Sequence, residues 1–279
     1  MLTADDLACG QNLAFVIGPF RGGTTLLRKV IDSHPALYSP AETWFLLPLL
    51  RMIDGTSKNN LFKQTAVAIS HHLDVQSQRG PIAAYAGAFY AQTLARSTKP
   101  GASWFVDKTP RYLEIAHLLP TLFPKARFIL LARDPRAVLW SRWTWEHNTQ
   151  EDYSILADSA ARDTRALADF TEGGADRKLL VHYERLCREP QSVAAEITEF
   201  LGVEPCATMS DYGMSVHHEG WGDHLTKRHA RPHTKSIERF AELGQMTQEQ
   251  SDALLEAVGE RALKALALEH ILETKVAAA

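Results

Sequence analysis

The stretch FVIGPFRGGTTLLRKVIDSHP, residues 15–35, carries most of the chemistry of a phosphate-binding loop and lacks one part of it. Against the pattern G-x-x-x-x-G-K-[ST], Gly18, Gly23 and Thr25 match, while Thr24 stands where the lysine belongs. Gly22 and Gly23 let main-chain N–H groups turn toward an anion, and a helix opening near Thr24 adds the positive end of its dipole. The missing lysine is the group that reaches the β- and γ-phosphates of a nucleoside triphosphate, and Arg21 is the cation that remains in the loop. The expected ligand is a phosphate without a magnesium-bound triphosphate. The competing reading is a glycine turn between strand and helix that binds nothing.

A second set of residues lies in RFILLARDPRAVLWSRW, residues 127–143. Its apolar run reads as a buried strand with Arg133 at the carboxyl end, Asp134 as N-cap and Pro135 at the first helical position. Ser141 follows six residues after Pro135, about 9 Å along a helix. Ligands of such sheets bind outside the carboxyl ends of the strands, so Arg133 faces the same cleft as the loop. Taken alone, Arg133 could equally pair with Asp134 and Ser141 could be a neutral helix residue. Lys108 in VDKTPRY, Glu42 in SPAETWFL and Tyr183 in VHYERLCREP are further polar residues at predicted element ends. His217, His218, His224, His229 and His233 crowd one stretch, but their spacing matches no helical or finger pattern of metal ligands. No metal is expected.

The elements that must position these groups follow from apolar periodicity. Leu13–Ile17, residues 103–106, Arg127–Ala132 and residues 179–182 read as strands, each followed by a helical pattern. Leu26, Leu27, Val30 and Ile31 fall on one face of the helix after the loop. Strands alternating with helices predict an α/β fold with a central, mostly parallel sheet flanked by helices. Residues 52–97 read as a mainly helical insertion beside the cleft, and residues 247–258 and 261–273 as two terminal helices. With 279 residues, 45% of them hydrophobic, one substantial core is expected and no boundary divides the chain. Thirty basic against 33 acidic residues give no global field favouring nucleic acid or an anionic membrane. Three scattered cysteines make no disulfide framework, and no apolar run is long enough to span a bilayer. A cytoplasmic protein is expected.

The two motifs together resemble the sulfotransferases that use 3′-phosphoadenosine 5′-phosphosulfate (PAPS), in particular bacterial-type members related to the carbohydrate and tyrosyl-protein enzymes. The family's first signature is a lysine or arginine followed by Ser/Gly-Gly-Thr-Thr, here Arg21-Gly22-Gly23-Thr24-Thr25. Its second is a strand-end arginine with a helical serine eight positions later, here Arg133 and Ser141. The resemblance implies a P-loop NTPase-like three-layer fold in one domain, residues 1–279. It assigns the 5′-phosphosulfate to Arg21, Gly22, Gly23, Thr24 and Thr25, and the 3′-phosphate to Arg133 and Ser141. Lys108 would face the transferring sulfuryl group, and Tyr183 would approach the adenine. Residues 217–240 resemble the loop that covers the cofactor, with Gly222 and Asp223 in it and Arg231, Lys235, Ser236 and Arg239 as candidate contacts.

Departures from the family's pattern are informative. Enzymes acting on phenols and steroids carry a histidine base two positions after the lysine, where this chain has Pro110. The carbohydrate and tyrosyl-protein enzymes use a glutamate shortly after the second strand, and Glu42 stands there, which nominates it as general base. Its simpler reading is an acidic residue in the first turn of a helix. The adenine-stacking tryptophan found after the double threonine in many members is replaced by Leu26. Trp44, Phe45, Trp140, Trp143 and Trp145 suggest apolar walls for an acceptor. The resemblance thus implies sulfuryl transfer from PAPS, without a metal, to a small-molecule, glycan or lipid hydroxyl. Two rivals are a P-loop kinase using ATP and magnesium, with Asp134 as metal ligand, and a non-catalytic nucleotide-binding protein.

Overall fold

A computed structural model describes residues 2–54, 59–145, 152–173, 176–213, 230–242 and 246–273. After α1 (Ala4–Ala8), β1 (Leu13–Ile17) leads into α2 (Thr24–Asp32), the short β2 (Leu37–Tyr38), and α3 (Leu46–Asp54), α4 (Asn60–Ser70) and α5 (Val75–Ala95). Next come β3 (Trp104–Lys108), a 3-10 segment (Pro110–Leu118), α6 (Leu119–Leu122), β4 (Arg127–Ala132), α7 (Pro135–Trp143), α8 (Tyr153–Glu172) and β5 (Lys178–His182). The chain closes with α9 (Tyr183–Arg188), α10 (Pro190–Leu201), α11 (Lys235–Glu242), α12 (Gln248–Val258) and α13 (Glu260–Ala265).

The five strands of the described residues form one sheet in the order β2-β3-β1-β4-β5. Each of its pairings is parallel, which sharpens the expectation of a mostly parallel sheet. The strand sequences LAFVI and FILLA are apolar throughout because both faces are covered. Alternate side chains go to opposite faces. Phe15, Ile17, Phe105, Phe128 and Leu130 join residues of α1, α3, α5, α8, α12 and α13 in one core. Ala14, Val16, Val106, Ile129 and Leu131 join Leu27, Val30 and Ile31 of α2 and Leu186, Ile197 and Leu201 of α9 and α10 in the other. The result is three layers, helices on both sides of the sheet. Its register sets Val16 beside Lys108 and Ala132 beside His182, so the loop after β1, Lys108 and Arg133 emerge at one edge.

Three features go beyond the sequence expectations or correct them. Residues 52–97 are helical where described, and α5 packs into the first core through Ala86, Tyr90 and Leu94. Gly87 makes this possible, since a Cβ there would lie 2.2 Å from the Ala4 carbonyl oxygen of the crossing helix α1. The helix expected over 261–273 instead breaks at Ala267, which has φ 51°, and resumes as a 3-10 turn at Glu269–Glu273. Finally, β2 went unpredicted because it has only two residues, paired with Trp104 and Phe105. His217, His218, Gly222, Asp223, His224 and His229 lie outside the described residues, as does the Arg239 side chain.

Candidate active site

The loop after β1 turns on two left-handed residues, Arg21 (φ 64°) and Gly23 (φ 97°). Gly23 is required twice over, by its φ and because a Cβ would strike the Tyr183 ring at 2.2 Å. Gly22 donates its N–H to the Pro19 carbonyl at 2.8 Å, so that amide closes the turn and does not face an anion, contrary to expectation. The amides of Thr24 and Thr25 open α2 and have no acceptor within the helix, an arrangement that suits an anion. Arg142, buried on α7 and missed in the sequence reading, donates from Nε and Nη2 to the Phe20 carbonyl (3.1 and 2.9 Å). Its charge is met by Asp163 of α8 at 2.7 Å, so the loop is braced from outside the site.

The two motifs meet in space. Arg21 Nε donates to Ser141 Oγ at 3.3 Å, and its guanidinium lies over the Trp145 ring. Arg133 donates from Nη1 to the Arg21 carbonyl at 3.0 Å and stacks 4.1 Å from the Tyr183 ring centroid. It is only 7% exposed, and its buried Nε has no hydrogen-bond partner in the protein. A buried cation with an unanswered donor suits an anionic ligand. Arg133 does not pair with Asp134, whose carboxylate caps α7 at the Arg136 N–H (2.9 Å) and pairs with the Arg136 guanidinium at 2.7 Å. Asp134 is thereby committed to the helix start. Tyr183 carries Arg133 on its ring and lies against Gly23, and burial pushes its hydroxyl up to about 12. That hydroxyl is 2.6 Å from Ser236 Oγ, which brings α11 to the site, whereas Lys235 is exposed at the start of the same helix and Arg231 is exposed before it.

On the other side of the loop stands a buried ion pair. Lys108, 1% exposed, donates to Glu42 Oε1 at 2.7 Å and to Thr25 Oγ1 at 3.3 Å. Burial lowers the Lys108 pKa, and the Glu42 carboxylate opposes that shift. Glu42 Oε2 accepts the Trp44 indole N–H at 2.9 Å. Glu42 lies in the segment between β2 and α3, four residues before the helix begins, so the first-turn reading does not hold. Buried Arg28, one turn after Thr25 on α2, holds the same segment by donating to the Ser39 carbonyl at 2.8 Å. Its pKa is lowered by burial, against the pull of Asp32 and Glu42.

Asp107, beside Lys108, was also missed. It is fully buried and accepts hydrogen bonds from Tyr90 and Thr43, and burial raises its pKa to about 6 against these bonds. The signal was present in the sequence as a lone acid within the strand WFVDK. Of the five clustered histidines only His233 is described, and among the described residues no group of three or more His, Cys, Asp or Glu is placed to hold a metal. No helix of the described residues is long and apolar enough to cross a membrane.

A parallel sheet with a phosphate-type loop at its carboxyl edge defines the P-loop-like α/β class. Within it, the Sulfotransferase family model matches residues 14–207, and the chain belongs to that family. It is 30% identical over 217 residues to nodulation protein NoeE of Sinorhizobium fredii, covering 69% of this chain and 50% of that protein. It is 29% identical over 215 residues to protein-tyrosine sulfotransferase 2 of Gallus gallus, covering 74% and 54%. The chain spans about half the length of these curated relatives. Among solved structures, it resembles the sulfotransferase domain of the Synechococcus PCC 7002 olefin synthase, with TM-score 0.58 and 27% identity over 88% of this chain and 93% of that one.

Proposed function

We propose that this chain moves the sulfuryl group of PAPS to an acceptor hydroxyl, with Glu42 as general base. The observation that carries the reading is the convergence on one loop of two arginines, a serine and a buried lysine–glutamate pair. Arg21, Ser141 and Arg133 gather on one side of Thr25, and the Lys108–Glu42 pair stands on the other. Thr24 and Thr25 amides with Arg21 would hold the 5′-phosphosulfate, and Arg133 with Ser141 the 3′-phosphate. The orphaned Arg133 Nε supports that fit.

In the reaction the acceptor oxygen attacks sulfur in line with the S–O bond to the 5′-phosphate. That bond breaks, its electron pair leaves with 3′-phosphoadenosine 5′-phosphate (PAP), and the acceptor proton passes to Glu42. Lys108, already aimed between Thr25 and Glu42, is placed to answer charge on the sulfuryl oxygens. Such catalysis is mostly positioning and preorganised electrostatics. The acceptor class is a small-molecule, glycan or lipid hydroxyl. A protein tyrosine, on which the Gallus gallus relative acts by name, is the acceptor to test beside them. The kinase reading is weaker because Asp134 already caps α7 and pairs with Arg136.

The test is PAP release from PAPS with a panel of these hydroxyls, for the native chain and Glu42→Gln. Transfer to at least one acceptor, lowered by about 10²–10⁴-fold in the variant, is the expected result. Undiminished turnover by the variant would remove Glu42 from the role of base.

A further inference from the structure

Three consecutive residues at the end of β3 hold three consecutive residues of the segment that carries Glu42. Lys108 reaches the Glu42 carboxylate. Thr109 Oγ1 accepts the main-chain N–H groups of Thr43 (3.2 Å) and Trp44 (3.3 Å). Asp107 Oδ2 accepts from Thr43 Oγ1 at 2.8 Å and from the Tyr90 hydroxyl at 2.7 Å. The Tyr112 hydroxyl lies 2.8 Å from Thr43 Oγ1 and accepts the Leu46 N–H at 3.3 Å. A hydroxyl has one proton to give. Thr43 gives its proton to Asp107, so Tyr112 must give its own to Thr43. The donors therefore run from the Leu46 amide through Tyr112 and Thr43 to Asp107 and end there, because an ionised carboxylate only accepts.

This arrangement enforces a conformation that the segment would not keep unaided. Trp44 has φ 60°, a left-handed backbone unfavourable for a bulky residue, and it persists only where neighbours over-determine it. In that conformation the Trp44 indole donates to the second oxygen of Glu42. A carboxylate inside a buried parallel strand is itself costly unless its hydrogen bonds are complete. β3 needs none at that position to pair with β1.

We propose that Asp107 is a positioning residue, which anchors through Thr43 the segment that presents Glu42 to the acceptor oxygen. The consequence for catalysis rests on the reading of Glu42 as base, but the anchoring itself can be measured without any acceptor. The probe is amide hydrogen exchange of the full chain, read over residues 39–46 and over the loop at residues 15–27, together with calorimetric affinity for PAP. Asp107→Leu and Thr43→Val remove the link, while Asp107→Asn and Thr43→Ser keep an oxygen in place for it.

The expected result is about tenfold faster exchange over residues 39–46 in Asp107→Leu and Thr43→Val, as for the loss of one to two hydrogen bonds. The loop amides and PAP affinity should stay within about twofold of the native protein, and the two conservative variants should behave as native. The double variant should be no worse than Asp107→Leu alone, since both changes break one link. Native exchange over residues 39–46 in both disruptive variants, or an equal rise at residues 15–27, would overturn the proposal, as would additive effects. Should Asp107→Leu not fold, Thr43→Val and its Ser control carry the same comparison. Glu42→Gln, assayed in parallel by PAP release from PAPS, separates the two ideas: full turnover there defeats the base while the exchange result stands.

Discussion

Lys108 and Glu42 form an ion pair with little exposure, so each is costly to leave alone. Removing one partner of such a pair typically costs about 3–5 kcal/mol because the other charge is stranded. Lys108→Met should therefore destabilise the fold by roughly that amount and nearly abolish transfer, whereas Glu42→Gln, which removes the countercharge but keeps an oxygen for Lys108, should lower turnover with a smaller loss of melting temperature. Thermal denaturation beside PAP release distinguishes the two. Asp107 gives a separate signature in pH. Its folded pKa, about 6, is above the ordinary 3.8 because burial outweighs the Tyr90, Thr43 and Tyr112 hydroxyls and the nearby Lys108. Between those values the folded state keeps a proton that the unfolded state has lost, so this group's contribution falls as pH rises from about 4 to about 6. Asp107→Asn should remove that fall. In denaturant titrations, its stability relative to the native protein should improve across the window by up to roughly 3 kcal/mol. A difference that does not change with pH would rule out titration of Asp107 there.

At the scale of elements, the phosphate loop is shaped by what lies behind it. Gly23 rests against Tyr183, Tyr183 against Arg133, and Arg133 on the Arg21 carbonyl, so α2, β4 and α9 are locked at one point. Arg133→Ala should weaken PAP binding while leaving the Lys108–Glu42 side in place, and calorimetry with circular dichroism as a fold control checks both halves. The crossing of α1 and α5 is governed by Gly87. An alanine there gains about 1 kcal/mol of helix propensity. Its Cβ would overlap the Ala4 carbonyl at 2.2 Å, and overpacking of that kind typically costs about 1–3 kcal/mol. Gly87→Ala should lower stability in a denaturant titration, and a gain would mean that the two helices part without cost.

For the molecule as a whole, legibility followed the range of the interactions. Four strands were visible because buried parallel strands are continuous apolar runs, and the loop was visible because its glycines and threonines are adjacent in sequence. β2 was not, since two residues make no pattern and only pairing with β3 defines them. The site divides in the same way. Arg21, Arg133, Ser141, Lys108 and Glu42 carried signals in their motifs or through the family resemblance, and the structure brings them to one edge of the sheet. Arg142, Arg28 and the Asp107 network depend on contacts between distant segments, such as Tyr90 with Asp107 and Arg142 with Phe20, which no local pattern encodes. The expected role of Gly22 failed for a local reason, its amide being taken by Pro19 within the turn.

The assignment of Arg133 and Ser141 to a 3′-phosphate is tested most directly by calorimetric titration of the chain with PAP, with ADP, and with ATP plus magnesium. PAP should bind without magnesium and at least about tenfold more tightly than ADP, because charge-assisted bonds from Arg133 to the 3′-phosphate are worth roughly 1.5–3 kcal/mol. Equal affinity for PAP and ADP, or a magnesium-dependent preference for ATP, would contradict that assignment.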